Sequence, residues 1–449
     1  MHKSTENEKS INNVFAYQDK ELVELKEKNS NIKLSEMNQS IQESEDLLRM
    51  IGKSVPQKSA RVDRTKKVIT IPSWESLVQN AELSVGKANH LEDLFTKEEL
   101  KGNELAIRQL NYEYNQINRL DKHDIAIAVL AGLLSATVDI LMVGIPQKTT
   151  EGIEGGPLSN YVRDWFDKKF PEEEMKKLAN SKVSKVPFDA QDNRNTTIYV
   201  EGLSAYYHRM LSLGHDPLLG LLFGVMDIMT GRMTTIDKAG KVVSQVMENY
   251  ADYTERDVFV AIAKQIIHFK SDITTSMGLP APLMGLFNLL QFGSIGEAEQ
   301  TIAEIVQGMY YEEYDFIHFC SMSIPVMITE VVIRLGYAYK RIKEGYSIKN
   351  SIPFSLDHEK HPKLATMLFI GHSAATAINA GKVYFTENPM AINYPQWIAF
   401  GKYSYQQLKW VLIQKPQARD DYVNGKINEE LQEVFEDVNA CYDEFSKIH

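Results

Sequence analysis

The sequence has few cysteines and no excess of positive charge, and each absence excludes a class of protein. Only two cysteines, Cys320 and Cys441, occur in 449 residues, which excludes a disulfide framework and a cysteine-rich zinc site. The 49 basic residues are outnumbered by 60 acidic residues, and the net charge is −11. Nucleic-acid binding needs a positively charged face, so nucleic acid is not an expected partner. The low cysteine content and a polar beginning unlike a secretory signal predict a cytoplasmic protein.

Alternation of apolar and polar residues, which is typical of strands, is also scarce. Apolar residues at helical spacing and helix start and stop signals recur along the chain. The sequence therefore predicts an all-α protein, a large multi-helix bundle. Residues 1–66 are rich in Lys, Glu, Asn, Ser and Gln, which predicts a polar N-terminal region, helical or partly disordered. Residues 67–449 are predicted to form the helical core domain, with a division near 146–198 as an alternative. A basic cluster predicted to be a solvated linker comprises Lys58, Arg61, Arg64, Lys66 and Lys67.

The longest apolar segment, Ile125–Ile145, has 21 residues and a single charged residue, Asp139. It is long enough to cross a bilayer. The mean hydropathy of the whole chain is only −0.29, and a helix that is apolar all round is also typical of the centre of a large bundle. We therefore expect one continuous helix at the centre of the fold, and a membrane-inserting helix is the alternative. On this expectation Leu134 is a core residue, and Leu134→Asp would abolish soluble folded protein.

A second apolar segment, Gly220–Ile228, repeats the pattern Gly-Leu-Leu-x-small-x-x-Asp-Ile of the first. Asp139 and Asp227 occupy the same place in the two copies. If the two helices pack together, the acids would share a buried polar cluster, because neighbouring carboxylates need a common partner. The alternative is that each acid has its own partners. Glu330 is a third acid in an apolar helix and can pair with Arg334, one turn later.

Two His-Asp pairs, His123-Asp124 and His215-Asp216, resemble those of the metal phosphohydrolases of the HD type. That chemistry needs a His, a His-Asp pair and a later Asp to hold a metal ion that activates water. The metal-ligand candidates are both pairs together with His208, and the catalytic candidates are His215, Asp216 and Asp272. The alternative is ordinary helix capping, since both pairs stand at predicted helix starts. The cofactor stays open at this point. Changing both His215 and Asp216 to Ala, with no effect on metal content or activity, would exclude the hydrolase.

Two further motifs favour structural roles. Ser373, in LFIGHSAAT, has the spacing of a nucleophile elbow, but an elbow needs preceding parallel strands and a later His, and His449 is the only later one. We therefore expect a packed helix at Ser373. His358, Glu359 and His361 lie in a segment with Pro362, which predicts a surface loop and not a preformed metal site.

Four stretches occur in the order IPSWESL, VPFDA, LGHDPLLGLLFGVMDIMTG and SDITTSMGLPAPL. They resemble motifs of a group of uncharacterised bacterial helical proteins, over roughly residues 70–290. The resemblance implies a bacterial or phage source and an accessory, mobile-element or defence role. That group has no established activity, so no residue role follows from it.

Three functional hypotheses follow. The first is a non-enzymatic cytoplasmic effector that binds a protein partner or a second copy of itself. The second is a pore-forming effector that inserts apolar helices into a membrane, so its location would become membrane-associated on activation. The third is a metal-dependent hydrolase built on the His-Asp pairs.

Overall fold

The computed structural model describes residues 6–30, 34–55, 72–84, 96–149, 152–293, 299–358 and 360–448. Within these ranges sixteen α-helices and two short hairpins confirm the predicted all-α, multi-helix fold. The helices are α1 (Glu6–Ser30), α2 (Leu34–Met50), α3 (Trp74–Ser84), α4 (Lys97–Asn118), α5 (Lys122–Val138), α6 (Pro157–Lys169), α7 (Glu172–Ala179), α8 (His208–Leu211), α9 (Phe223–Thr230), α10 (Val258–Asp272), α11 (Ile302–Tyr311), α12 (Phe316–Lys343), α13 (Ile348–Ser351), α14 (Leu364–Thr386), α15 (Tyr394–Lys409) and α16 (Lys415–Ile448).

Each hairpin is antiparallel. Strand β1 (Gln147–Thr149) pairs with β2 (Gly152–Glu154), and β3 (Arg232–Ile236) pairs with β4 (Val242–Val246). The register of the second hairpin joins Arg232 to Val246 and Ile236 to Val242.

The chain divides into two compact units. The first comprises residues 1–113 and 429–449, and the second comprises residues 114–428. This division differs from the predicted boundary after residue 66, and residues 146–198 lie wholly inside the second unit. In the first unit α1 and α2 confirm that the polar N-terminal region is helical over residues 6–30 and 34–50, and Lys20 on α1 donates to Ser84 at the end of α3. The basic cluster predicted to be a linker lies outside the described residues.

The predicted apolar helix begins at the N-cap Asp121, whose side chain accepts from the backbone of His123 and Asp124 in a capping box. Helix α5 passes into a π-helical turn over Asp139–Val143 and ends at Gly144, whose φ is +72°. Only glycine adopts this conformation readily, so the residue type explains the end of the helix. The prediction of one helical segment over this region is confirmed.

The side chains that α5 buries are small. It packs against α14 and α12, and its buried apolar positions are Ala128, Ala131, Gly132 and Ala136. A Cβ on Gly132 would collide with the backbone oxygen of Gly371 on α14, so the two helices approach closely only because the residue is glycine. The large side chains point outward, and Leu134 is 48% exposed. The expectation that Leu134 is a core residue is wrong, because helix contact selects the small residues for the inside.

The two repeated segments do not share a polar cluster. Asp139 accepts from Asn379, Asn393 and Lys382 at 2.8–3.2 Å. Asp227 accepts from the backbone N–H and the hydroxyl of Thr234, both at 2.8 Å. The reason lies in packing, since α5 lies on α14 and Gly224 of α9 contacts Gln265 on α10. Each acid therefore has its own partners, as the alternative proposed.

The third acid behaves as predicted. Glu330 accepts from Arg334 Nε at 2.9 Å, one helical turn later, and it also accepts from the hydroxyl of Tyr403 on α15. The pair is therefore local to α12 and is tied to a second helix.

The close contact between α5 and α14 predicts an asymmetry between two glycines. Gly132→Ala should lower the free energy of unfolding by about 1–3 kcal/mol, because the new methyl group has no space. Gly381→Ala, on α14 with no atom within 4 Å of the new Cβ, should leave it unchanged or raise it by about 0.5–1 kcal/mol through helix propensity. Thermal unfolding of the two variants measures the difference, and equal melting temperatures would contradict the close contact.

Candidate metal centre

Five side chains able to bind a metal come together in the second unit. We call them the His/Asp centre, and they are Asp189, His208, His215, His268 and Asp272. Asp189 follows the buried Phe188 in an irregular connector, His208 is the first residue of α8, and His215 ends a 3₁₀ turn. The centre is thus assembled from four separate pieces of chain.

Helix α10 supplies two of the five. Its N-cap Asp257 accepts from the backbone of Phe259 and Val260, which sets where the helix begins. The buried residues of α10 follow one another at helical spacing, and the last three are His268, Ser271 and Asp272. Because residues four apart lie on the same face, His268 and Asp272 both point to the interior.

The distances between the candidate ligand atoms suit a metal ion. Nε2 of His208 and Nε2 of His215 each lie 3.5 Å from Asp189 Oδ1. Asp272 Oδ2 lies 3.7 Å from His215 Nε2 and 3.4 Å from His268 Nε2. Zinc bonds of about 2.0–2.1 Å place tetrahedral ligands about 3.3–3.4 Å apart. The five side chains form two groups of three, Asp189 with His208 and His215, and His215 with His268 and Asp272, and the groups share Nε2 of His215. Because one lone pair binds one ion, we expect a single ion at the centre.

The ligand atoms of the centre lack other partners within the described residues. Nε2 of all three histidines and Oδ2 of Asp272 are buried without a hydrogen bond. Buried polar atoms in proteins are nearly always paired, and an unpaired one costs about 1–3 kcal/mol. Four such atoms in two adjoining groups are explained together if a cation lies among them.

Neighbouring groups orient the ligands. Nδ1 of His208 lies 2.9 Å from the Ala205 carbonyl oxygen, and Nδ1 of His268 lies 2.9 Å from that of Ser184. A carbonyl only accepts, so Nδ1 carries the proton and Nε2 keeps its lone pair for a metal. Arg209 donates to Asp272 Oδ1 at 3.0 Å, which leaves Oδ2 turned toward the histidines.

Electrostatics favours the metal-binding protonation states. Burial lowers the pKa of His215 to about 4, and the neighbouring Asp189 offsets only part of that effect. At neutral pH the imidazole is therefore uncharged. Burial raises the pKa of Asp189, but the adjacent imidazoles of His208 and His215 outweigh it and hold the pKa well below its ordinary value. Asp189 is therefore an anion.

Three of the residues singled out in the sequence meet in this centre, namely His208, His215 and Asp272. Asp216 does not join them. Its carboxylate accepts from the backbone N–H groups of Leu218, Leu219 and Leu283. The HD arrangement is therefore wrong in this detail, because adjacent residues at the end of a turn point in different directions, and Asp216 caps the following turn.

The other predicted pair plays a structural role. His123 has a side chain that is 89% exposed. Asp124 is buried, completes the capping box of α5 and pairs with Lys340 at 2.6 Å and with Lys363 at 3.6 Å. The capping alternative is confirmed for this pair, and it contributes nothing to the His/Asp centre.

The remaining motifs also lie elsewhere. Ser373 lies within α14 and its hydroxyl donates to the Phe369 carbonyl, as expected for a packed helix. His358 stacks on Trp410 with ring centroids 3.8 Å apart. His361 is buried against Tyr337, so the prediction that it lies on the surface is wrong. Glu359 lies outside the described residues.

Two members of the His/Asp centre, His268 and Asp189, were not singled out in the sequence. His268 lies four residues before Asp272, the spacing of two residues on one helical face, and this spacing could have pointed to it. Asp189 belongs to the VPFDA stretch and carries no local signal. Its role depends on the fold, which brings Asp189 next to His208 and His215.

The low pKa of His215 predicts a titration that can be observed directly. In metal-free protein the imidazole should titrate with a midpoint near 4, because its charged form is buried. Histidine-selective NMR, with the signal assigned by its loss in His215→Gln, measures this midpoint. A midpoint at or above 6.5, the ordinary value, would contradict the buried, neutral state.

The sign of the linked stability follows from the same values. Between pH 6.5 and 4 the unfolded chain binds a proton at His215 and the folded chain does not. This group therefore lowers the free energy of unfolding as the pH falls through that window. Asp189 is ionised in both states above its ordinary pKa and adds no dependence there.

Known proteins do not identify this centre. No protein-family model matches the sequence, and no curated protein and no solved structure is similar enough to count as a match. The resemblance to a group of bacterial proteins therefore stays a prediction, and inference about function depends on the geometry of the centre.

Proposed function

We propose that this protein is a metal-dependent hydrolase whose catalytic centre is the His/Asp centre. The observation that supports the proposal is that four buried, unpaired ligand atoms lie in two adjoining groups that share His215. Three imidazoles and two carboxylates are a rich donor set. A role as an interaction protein without chemistry gives no reason to leave these atoms unpaired.

The donors favour a first-row divalent ion such as Zn²⁺ or Mn²⁺. Imidazole suits zinc and iron, and carboxylate suits manganese and magnesium. Structural zinc sites are mostly built on cysteine thiolates, whereas catalytic sites combine histidine with carboxylate. The described part of the chain places no cysteine in this centre, so the donor set resembles that of catalytic sites.

The centre is not equally closed on all sides. The side chain of His215 is 0% exposed and that of Asp272 is 3% exposed, whereas that of Asp189 is 18% exposed. Water and substrate would therefore approach from the side of Asp189. A bound ion supplies the activation of water for hydrolysis, and the ionised Asp189 at the open edge is placed to accept a proton.

Arg209 gives the centre a fixed positive charge. Its two terminal nitrogens bond Asp272 and the Ser276 carbonyl oxygen, while its buried Nε has no partner among the described residues. A buried cation beside a metal stabilises negative charge that develops on a substrate. Phosphoesters are therefore the substrate class of the proposal.

Metal content provides the first test. Purified full-length protein should contain about one transition-metal ion per chain by elemental analysis. His215→Gln and Asp272→Asn should lose it, because each removes a ligand. His123→Gln is the matched control, since it changes an exposed histidine outside the centre, and it should retain the metal. The proposal would be contradicted if the wild-type protein contained no metal after incubation with Zn²⁺ or Mn²⁺.

Activity provides the second test, with bis-p-nitrophenyl phosphate as the probe. Chelation should abolish hydrolysis and added metal should restore it. Asp189→Asn, assayed with its metal content restored to that of the wild type, should lower kcat by about 10²–10⁴-fold, the range typical of proton transfer by a positioned side chain. A chain that binds metal, unfolds more easily without it and hydrolyses no phosphoester would contradict the hydrolase and assign the metal a structural role.

A further inference from the structure

Helices α5 and α12 expose long apolar stripes. We call these stripes the apolar belt. Its members are Leu130 and Leu134 on α5, Leu141 on the π-helical turn that continues α5, and Met327, Val331 and Leu335 on α12. Leu130, Leu141 and Leu335 are each more than 60% exposed. The residues recur at intervals of four or seven, so each set lies on one side of its helix.

The two stripes lie at matching heights because the helices are antiparallel. Ser135 on α5 donates to the Pro325 carbonyl at 2.8 Å, and Gly336 on α12 faces Ile127. Leu134 therefore stands at the level of Met327, and Leu130 at the level of Val331. The exposed apolar surface is shared by two adjacent helices.

The inner side of α5 carries small side chains, and polar groups lie near it. Where α5 meets α14, Gly132 and Gly371 allow close approach. The interior contains the ion pair of Asp139 with Lys382 and the hydrogen bonds from Gln396 to His372 and Thr376. Helix α12 buries large side chains as well, among them Ile333 and Tyr337. On α5, large aliphatic side chains lie outside and small ones inside, which reverses the usual pattern of a soluble bundle. This arrangement is typical of helices packed in lipid.

The dimensions fit a bilayer. The exposed apolar positions of α5 extend from Ile125 to Met142, about 26 Å at 1.5 Å per residue, and a hydrocarbon core is about 30 Å thick. The helical segment that ends at Val143 and α12 are both long and apolar enough to cross a membrane.

The ends of the belt suit the two lipid–water interfaces. Tyr339 and Tyr346 are exposed near the end where Lys340 pairs with Asp124. Tyr384 and Phe385 are exposed beside Lys382, which pairs with Asp139 at the opposite end of α5. Aromatic side chains at both borders of an apolar band are typical of membrane proteins.

Charge is also placed as a membrane requires. Arg341 and Lys343 lie at the C-terminal end of α12, next to Lys340, whose charge is already paired with Asp121 and Asp124. Basic residues beside an apolar helix bind anionic headgroups. A contact with a second copy of the chain would not call for aromatic residues at both borders and basic residues at one end.

We propose that the apolar belt inserts into a lipid bilayer, with α5 and α12 embedded among the acyl chains. The proposal does not depend on the His/Asp centre, since it follows from different residues. It assigns the outer surface of these two helices to lipid and their inner surface to the bundle.

Flotation with vesicles tests the proposal, using full-length protein and equal parts of phosphatidylcholine and phosphatidylglycerol. The test variant combines Leu130→Gln, Leu134→Gln and Leu141→Gln, and it should bind vesicles at least about tenfold more weakly, because three large apolar side chains no longer enter the lipid. The control combines Val242→Gln and Val246→Gln, two exposed apolar residues on β4, and should float like the wild type.

A fluorescent probe gives a second measurement that does not depend on solubility. An environment-sensitive dye on Leu134→Cys, with Cys320 and Cys441 changed to Ser, should shift to the blue when vesicles are added. The same dye on Val242→Cys should not shift. Circular dichroism should show that the triple variant keeps its helices, because the changed side chains face outward.

Three results would overturn the proposal. The first is wild-type protein that stays wholly in the soluble fraction with vesicles present, and the second is a triple variant that floats as well as the wild type. The third is a dimer, seen by light scattering, that the triple variant dissociates, without vesicle binding by either protein. That last result would assign the apolar belt to a contact between two copies of the chain.

Discussion

The close contact of α5 with α14 is the constraint on which the rest of the second unit depends. At Gly132 and Gly371 the backbones approach so closely that a single methyl group has no space. Because only small residues fit inside, the leucines of α5 must face outward. The same approach brings Asp139 to Lys382, Asn379 and Asn393, which satisfy its buried charge. One steric requirement thus explains both the exposed apolar surface and the buried polar one.

The end of α5 also reaches the part of the chain that contains the His/Asp centre. Val143 belongs to the same buried cluster as Met210, and Met210 follows His208 and Arg209 directly. The ligands are held by short turns and by α10, and Phe188 packs edge-on against His215 and His268. A metal centre needs ligands whose orientation does not change. Ring packing holds the imidazole of His215, and hydrogen bonds at Nδ1 also hold those of His208 and His268.

The two proposals fit one molecule without depending on each other. A hydrolytic centre near one end of a lipid-inserted helix would work at the border between water and membrane, where amphipathic substrates are concentrated. The exposed side of Asp189 is the open edge of the centre. The proposals differ in the residues that they require, so either one can hold if the other fails.

The sequence by itself determined the helical class, the course of the apolar segment and the local pair of Glu330 with Arg334. Each depends on residues within a few positions of one another, where spacing and capping chemistry decide. It also singled out His208, His215 and Asp272. Only the tertiary structure decided that Asp189 and His268 join them, that Asp216 does not, and that Leu134 faces outward. These outcomes depend on contacts between distant segments, and periodicity does not show which side of an all-apolar helix its neighbours cover.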